Sequence, residues 1–150
     1  MTTVHLQTQT TITEATATTG VDIANFFAGY EDPIAGYTSG VRVWIRVYGL
    51  DSGASATIAI ESSADGTFDD TVQHAVIWLE GPIGSTSATG EEGLDEGEST
   101  AFYVNPYTIQ FGTNDEKMSS IPWDESGAAL RVNVSSLTGG HLTYESYFTY

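Results

Sequence analysis

The sequence predicts an all-β protein, an antiparallel β-sandwich of seven or eight strands with jelly-roll topology, in one domain over residues 1–150. Apolar and polar residues alternate along most segments, which is the period of a strand with one buried face. Turn-forming Gly, Asp and Asn residues separate these segments, and no segment sustains a helical period. A chain of this length can bury about 68–70% of its unfolded surface, so one core suffices.

The N-terminal residues 1–20 predict an extended arm or an edge strand. Val4, Leu6 and Ile12 fall on even positions of a segment that is otherwise rich in Thr and Gln. Threonine favours strands, and a strand with so polar a character suits the edge of a sheet or a contact with a neighbouring subunit.

The next segment leaves two alternatives open. Asp22 is a candidate N-cap because apolar residues recur at helical spacing over Ile23–Tyr30. The segment is too short to decide between one helical turn and an aromatic-rich loop. Residues 31–40 contain Pro33 and two glycines and predict a loop.

The segment Val41–Leu79 predicts three strands joined as a β-meander. In Val41–Tyr48 the odd positions are β-branched and the even positions carry long polar or aromatic side chains. Asp51-Ser52-Gly53 and Asp65-Gly66 are turn signals between the three segments. The third segment, Thr71–Leu79, is apolar on both faces, which is expected of a strand that is central in a sandwich or covered by another subunit.

The C-terminal half predicts a long loop, an edge strand and a second hairpin. Gly81–Thr100 is rich in Gly and carboxylates and is typical of a functional, disordered or partner-bound loop. Ala101–Phe111 alternates as a strand, but Pro106 cannot donate a ladder hydrogen bond, so this strand lies at an edge or is bulged. Ala128–Ser135 and Leu142–Tyr150 flank a Gly-Gly pair as a predicted hairpin.

Charge is the strongest compositional signal. The chain has 20 acidic residues, 4 basic residues and a net charge of −16, and Lys117 is its one lysine. Such a surface repels phosphate backbones and anionic lipid, so neither nucleic acid nor membrane is an expected partner. Molar salt shortens the Debye length to ~3 Å, so the composition also fits a protein from a hypersaline cytoplasm. The alternative is an ordinary acidic protein kept in solution by its charge.

The remaining composition sets further bounds. Cysteine is absent, so neither a disulfide nor a zinc–thiolate site is available and the redox compartment stays open. The N-terminus lacks the basic start and apolar run of a secretion signal, and no stretch reaches a membrane-spanning length. We therefore expect a soluble chain without a cleaved signal.

Catalytic signals are weak. His5, His74 and His141 fall on three different predicted elements, and no Ser lies in a nucleophile-elbow motif. Because the chain has 20 acidic residues, finding two carboxylates close enough to cleave a glycosidic bond would not indicate hydrolase activity. A phosphate-binding glycine motif is also missing. The sequence predicts a protein that is not an enzyme and that has no cofactor.

Two acidic clusters are candidate calcium sites. Asp65, Asp69 and Asp70 surround one predicted turn, and five more carboxylates lie in the long loop: Glu91, Glu92, Asp95, Glu96 and Glu98. Calcium takes six to eight oxygen ligands. Neither cluster has the spacing of a known calcium loop, so solvated acidic turns are the favoured interpretation.

One strand face is a candidate interface. The even positions Arg42, Trp44, Arg46 and Tyr48 place two arginines and two aromatics on one face of an acidic protein. Arg, Trp and Tyr are enriched at interface hot spots. The alternative is that the arginines pair with carboxylates such as Glu61 across the sheet, and that Trp44 packs under a loop.

Two stretches resemble the small β-sandwich virion proteins of tailed phages. ATIAIESSADGTFDDTV (Ala56–Val72) is similar to their strand, Asp-Gly turn, strand pattern, and ALRVNVSSLTGG, within Ala128–Gly140, is similar to their closing hairpin. The resemblance implies a capsid decoration (cement) protein on the capsid exterior, a homotrimer that binds the major capsid protein at local symmetry axes. The acidic, lysine-poor composition departs from most phage examples and would fit a tailed virus of a halophilic archaeon.

On this interpretation the function is mechanical, and burial of apolar area between subunits and against the shell adds stability. The Thr-rich N-terminal strand and the Gly81–Thr100 loop are candidates to reach across subunits. The candidate trimer seam is a terminal aromatic run, Tyr144, Tyr147, Phe148 and Tyr150.

Two alternatives remain. A carbohydrate-binding module would use Trp44, Trp78 or Trp123 as a sugar-stacking platform with calcium nearby. A tail or fibre component of the same virion would show the same sequence features.

Overall fold

The computed structural model describes residues 3–23, 42–84, 107–112, 121 and 127–149. Within these ranges the chain forms strands and no helix, packed as two antiparallel sheets, which confirms the predicted β-sandwich. The strands are β1 (Thr3–Ile12), β2 (Thr16–Ala17), β3 (Val21–Asp22), β4 (Arg42–Leu50), β5 (Ser55–Ser63), β6 (Val72–Glu80), β7 (Tyr107–Gly112), β8 (Ala129–Thr138) and β9 (Leu142–Thr149). In this part of the chain no helix is long and apolar enough to cross a membrane.

The two sheets draw strands from the whole length of the chain. The first has the order β1-β9-β4-β7, and the second has the order β2-β8-β5-β6, with β3 also paired to β8. β2 and β3 are two residues each and lie along the same edge of β8, where Thr16 pairs with Val134 and Val21 with Leu130. β1 and β7 form the two edges of the first sheet.

The core lies between the sheets and follows the predicted alternation. In β4 the odd positions Val43, Ile45 and Val47 are buried, and the even positions are half-buried on the other face. Buried residues of β5 and β8 face them from the second sheet, and buried residues of β9 lie beside them in the first. These residues are Ala56, Ile58, Ile60, Leu130, Val132, Val134, Leu142, Tyr144 and Phe148. Burial of these side chains is the main favourable term for folding.

The predicted meander and the second predicted hairpin are wrong. β4 pairs with β7 and β9, while β5 pairs with β6 and β8, so only β5 and β6 form a hairpin. β8 and β9 likewise lie in different sheets. Turn signals mark where a chain changes direction but not whether it returns to the same sheet, and both turns here are corners between sheets.

The two corners are held side by side at one end of the sandwich. His141 donates its backbone N–H to Asp51 Oδ2 at 2.7 Å, its ring Nδ1 lies 2.7 Å from the same oxygen, and Asp51 N–H donates to the His141 carbonyl at 3.2 Å. The two bonds from His141 to the Asp51 carboxylate lower the pKa of Asp51, and the bond from the His141 backbone N–H contributes most. A Cβ at Gly140 would lie 2.6 Å from Asp51 Oδ2, so glycine permits this close approach.

Two further predictions on the connections have mixed outcomes. Val21–Asp22 is strand β3, and residues 24–41, which hold the segment that Asp22 was predicted to cap, lie outside the described part of the chain. Residues 85–106 of the predicted long loop and strand lie outside it as well. Ile83, at the described start of this loop, is buried and pairs with Leu50.

Candidate functional site

The outer face of the first sheet carries an aromatic row that crosses the sheet. His5 pairs with Tyr147, Tyr147 with Trp44, and Trp44 with Gln110, so these four residues lie in register on β1, β9, β4 and β7. Because the neighbouring residues Val43 and Phe148 point into the core, this row points away from it. We call these four residues the aromatic row, after the rings of His5, Tyr147 and Trp44.

The rings of the aromatic row contact one another. The Trp44 and Tyr147 ring centroids are 6.1 Å apart with an interplanar angle of 18°, and His5 lies 5.8 Å from Tyr147 at 57°. Trp44 Nε1 donates a hydrogen bond to Thr149 Oγ1 at 3.2 Å. The indole is therefore fixed in orientation, which lowers the entropy lost when a partner contacts it.

A charged cluster continues this face one step along the strands. Arg46 Nη1 lies 3.2 Å from Glu145 Oε1, and the Tyr48 hydroxyl donates to the same oxygen at 2.6 Å. The Arg46 guanidinium also lies 5.6 Å from the centre of the Tyr48 ring. The hydrogen bond to Glu145 raises the pKa of Tyr48 above its usual value. Arg46 thus pairs with Glu145 and not with Glu61, the partner considered from the sequence.

The structure divides the predicted interface residues. Arg42, Trp44, Arg46 and Tyr48 lie half-buried on one strand face, and Tyr147 joins them from β9. The expectation that Tyr144 and Phe148 form a subunit seam is wrong, since both are fully buried in the core of the single chain. Even positions of β9 face inward, so a run of aromatics in a strand divides between two faces. Tyr150 lies outside the described residues.

The turn considered as a candidate calcium site forms hydrogen bonds to its own carboxylates. Asp65 Oδ1 accepts hydrogen bonds from Thr67 Oγ1 at 2.7 Å, Thr67 N at 3.0 Å and Ser63 Oγ at 3.0 Å. Asp70 Oδ1 lies 2.6 Å from the same Ser63 hydroxyl, whose one proton the two carboxylates share, and Asp70 Oδ2 accepts from the Ala64 amide at 3.3 Å. Among the described residues, no three His, Asp or Glu side chains converge to hold a metal ion. Asp65 and Asp70 are therefore explained as turn-forming residues.

Asp65 gives a prediction for acid stability. Thr67 and Ser63 lower its pKa from 3.8 to about 2, so this carboxylate stabilises the fold above pH 4 and loses that effect as the pH falls from about 4 to about 2. We expect Asp65→Asn to flatten the fall in unfolding free energy over that interval, measured by urea unfolding at each pH. Asp69→Asn is the matched control, because it removes an equal charge from the same turn. Equal slopes for the two variants would contradict the prediction.

The histidines do not form a catalytic group with one another. His5 belongs to the aromatic row, His141 contacts Asp51, and His74 lies on β6 with Nε2 2.6 Å from Ser62 Oγ. This Ser–His pair could not be predicted from the sequence, because it depends on a register shift between β5 and β6. Ser62 and His74 are 1% and 4% exposed, so Ser62 is not placed to attack a substrate in solvent.

A second polar cluster lies on the second sheet. Glu61 accepts hydrogen bonds from Arg131 Nε at 2.9 Å and from Asn133 Nδ2 at 3.0 Å, and Arg131 Nη2 lies 2.8 Å from the same carboxylate. The Arg131 guanidinium stacks 4.2 Å from the centre of the Phe68 ring. This cluster connects β8 with β5 through Glu61 and with the β5–β6 turn through Phe68, so it stabilises the fold.

Among the described strands, β6 lies at the end of its sheet. Its inward residues Ala75 and Leu79 are buried, whereas Val72, Val76 and Trp78 are about half exposed. Within the described part of the chain the interpretation as a central strand is therefore not confirmed, and cover by another subunit stays a prediction.

Comparison with known proteins yields no relative. No family model, no curated protein and no solved structure matches this chain. Its function therefore has to be argued from its own residues and geometry.

Proposed function

We propose that this protein is a virion structural protein, a capsid decoration (cement) protein that binds the major capsid protein on the outside of the shell. The observation that supports this most is the ordered outer face of the first sheet. It combines the stacked Trp44 and Tyr147 with the hydrogen-bonded Arg46, Tyr48 and Glu145. These are residue types enriched in hot spots, and their contacts hold them in place before binding.

The surface suits binding to a large partner rather than chemistry. The aromatic row and the charged cluster spread over four neighbouring strands of a sheet, which is an extended surface. Arg46 keeps 34% of its side chain exposed, so its guanidinium still has N–H groups to offer to a carboxylate or carbonyl of a partner. An exposed patch of this composition can bind a partner through the area it buries and the hydrogen bonds it forms, and binding to a shell requires no catalytic group.

The finer classification as a jelly roll belongs to this proposal. Among the described strands, with β2 and β3 counted as one, each sheet has four, in the orders β1-β9-β4-β7 and β2-β8-β5-β6. Successive described strands lie in different sheets, except β5 and β6. Both features support an eight-stranded double-sheet arrangement of two Greek keys, a fold common among viral capsid proteins.

The proposed milieu is a hypersaline one, as in a tailed virus of a halophilic archaeon. A net charge of −16 on 150 residues opposes both folding and the packing of copies on a shell. Molar salt removes most of that repulsion, because the Debye length falls to ~3 Å. A homotrimer on the shell would need this screening most, since it brings three such charges together.

The proposal predicts that shell binding depends on Trp44. We expect the purified chain to co-sediment with virus particles from which it has been stripped, and Trp44→Ala to weaken that binding by about tenfold or more. Ser135→Ala, an exposed change on the second sheet, is the matched control and should bind normally. If the chain is absent from purified particles by mass spectrometry, the proposal fails. Immunogold labelling would separate a capsid position from a tail or fibre position.

One observation favours a second candidate, a carbohydrate-binding module. Trp78 exposes 52% of its surface on an open sheet, beside Thr57 on the neighbouring strand. An exposed indole with adjacent hydroxyls is suited to stack on a sugar ring. Binding on a glycan array that is lost in Trp78→Ala would support this function, and a chelator would test the involvement of calcium.

A further inference from the structure

Strand β6 presents an apolar edge that the proposed shell-binding face does not include. Val72, Val76 and Trp78 are 51%, 49% and 52% exposed, and they are the exposed large hydrophobic side chains found in the described part of the chain. Within that part β6 pairs with β5 and ends its sheet. One row of its backbone N–H and C=O groups therefore points outward, which is a template for another strand.

The edge lacks the features that usually prevent strand pairing. Thr71–Leu79 contains no charged residue and no proline, although the chain as a whole carries 20 carboxylates. The β5–β6 register has one irregularity, where Gln73 and Ala75 pair with successive residues, and pairing is regular from Ala75 to Glu80. A strand can thus be added beside Ala75–Leu79 without burying a charge.

We propose that the partner of this edge is β6 of a second copy, paired antiparallel about a two-fold axis at Ile77. Under this axis Val76 lies opposite Trp78 of the second copy, and Trp78 opposite Val76. Ala75 and Leu79 are matched in the same way on the inward face. The strand is therefore self-complementary on both faces, which a two-fold interface requires.

The distribution of charge supports a second copy as the partner. The carboxylates that flank the strand are Asp70 and Glu80. Asp70 lies outside β6, and with the axis at Ile77 the two Glu80 residues lie at opposite ends of the paired stretch, so they do not face each other directly. An equally acidic molecule can approach here, where the chain has an uncharged stretch, while net repulsion between copies remains and is weakened by salt.

The first test is the oligomeric state of the purified chain. The homotrimer is proposed for the protein on the shell, whereas for the free chain we expect, by light scattering and sedimentation, a dimer whose dissociation constant falls as NaCl is raised from 0.1 M to molar concentration. Val76→Lys should abolish the dimer, while Thr8→Lys, the same charge in an exposed position of edge strand β1, should leave it intact. A monomer at every concentration and salt, or an oligomer that Val76→Lys leaves unchanged, would overturn the proposal.

The second test addresses the register. The chain has no cysteine, so Ile77→Cys introduces one thiol that the proposed axis places directly opposite its copy, within reach of a disulfide. Mild oxidation should convert this variant to a covalent dimer, whereas Thr8→Cys should remain largely uncrosslinked. Equal crosslinking of the two variants, or none in Ile77→Cys, would overturn pairing about Ile77. Neither test requires a capsid shell, so shell binding and dimerisation can fail separately.

Discussion

Phe148→Ala is expected to lower the free energy of unfolding by about 3–5 kcal/mol. The Phe148 side chain is fully buried between the sheets, and its backbone pairs with Val4 on β1 and Val43 on β4. Removing the ring leaves a cavity that three neighbouring strands cannot close, because hydrogen bonding fixes their spacing. Urea unfolding in molar salt, with the variant and the parent chain in the same buffer, measures the difference.

The neighbouring Tyr147 is the matched control. Its side chain lies on the outer face and stacks on Trp44, so Tyr147→Ala should cost about 1 kcal/mol. If Phe148 formed a seam between subunits instead, Phe148→Ala would change the oligomeric state and leave the unfolding of the monomer nearly unaltered. Equal costs for the two substitutions would contradict the assignment of Phe148 to the core.

The long strands were predictable from the sequence because local alternation decides them, whereas the two-residue strands β2 and β3 were not predicted. The β-branched residues Val43, Ile45 and Val47 can share a face only in an extended strand, and they are buried as expected. The sheet to which each strand belongs was not predictable in this way. The corner at Asp51 depends on its contacts with His141, which is 90 residues away in the chain.

Only part of the candidate site could be predicted, because local alternation places residues on one strand face but does not show which strands are neighbours. Arg42, Trp44, Arg46 and Tyr48 alternate on one strand, so their common face could be inferred. The contribution of Tyr147 and Glu145 depends on the pairing of β4 with β9, which no local pattern encodes. The position of β6 at an exposed edge could not be predicted either, because an apolar strand at an edge has the same composition as one in the centre.

Arg131→Met is expected to lower the free energy of unfolding by about 2–4 kcal/mol. Glu61 has 7% of its side chain exposed, and Arg131 supplies two of the nitrogens that lie within 3.0 Å of its carboxylate. With Arg131 replaced, Asn133 alone would contact this buried charge at 3.0 Å, and the contact with Phe68 would be weakened as well. An unpaired buried carboxylate is costly because water cannot replace the lost donors. Arg46→Met, at a more exposed ion pair, is the control and should cost about 1 kcal/mol or less.

The double variant Glu61→Met with Arg131→Met separates the cost of the unpaired charge from the value of the pair. Two apolar side chains of similar length fill the same space and leave no carboxylate to solvate, so most of the loss in the single variant should be recovered. A double-mutant cycle measured by urea unfolding gives the coupling energy between the two residues. If the double variant is as unstable as the sum of the two single variants, the pair has no coupling, and the stability at this position comes instead from the contact of the Arg131 guanidinium with the Phe68 ring.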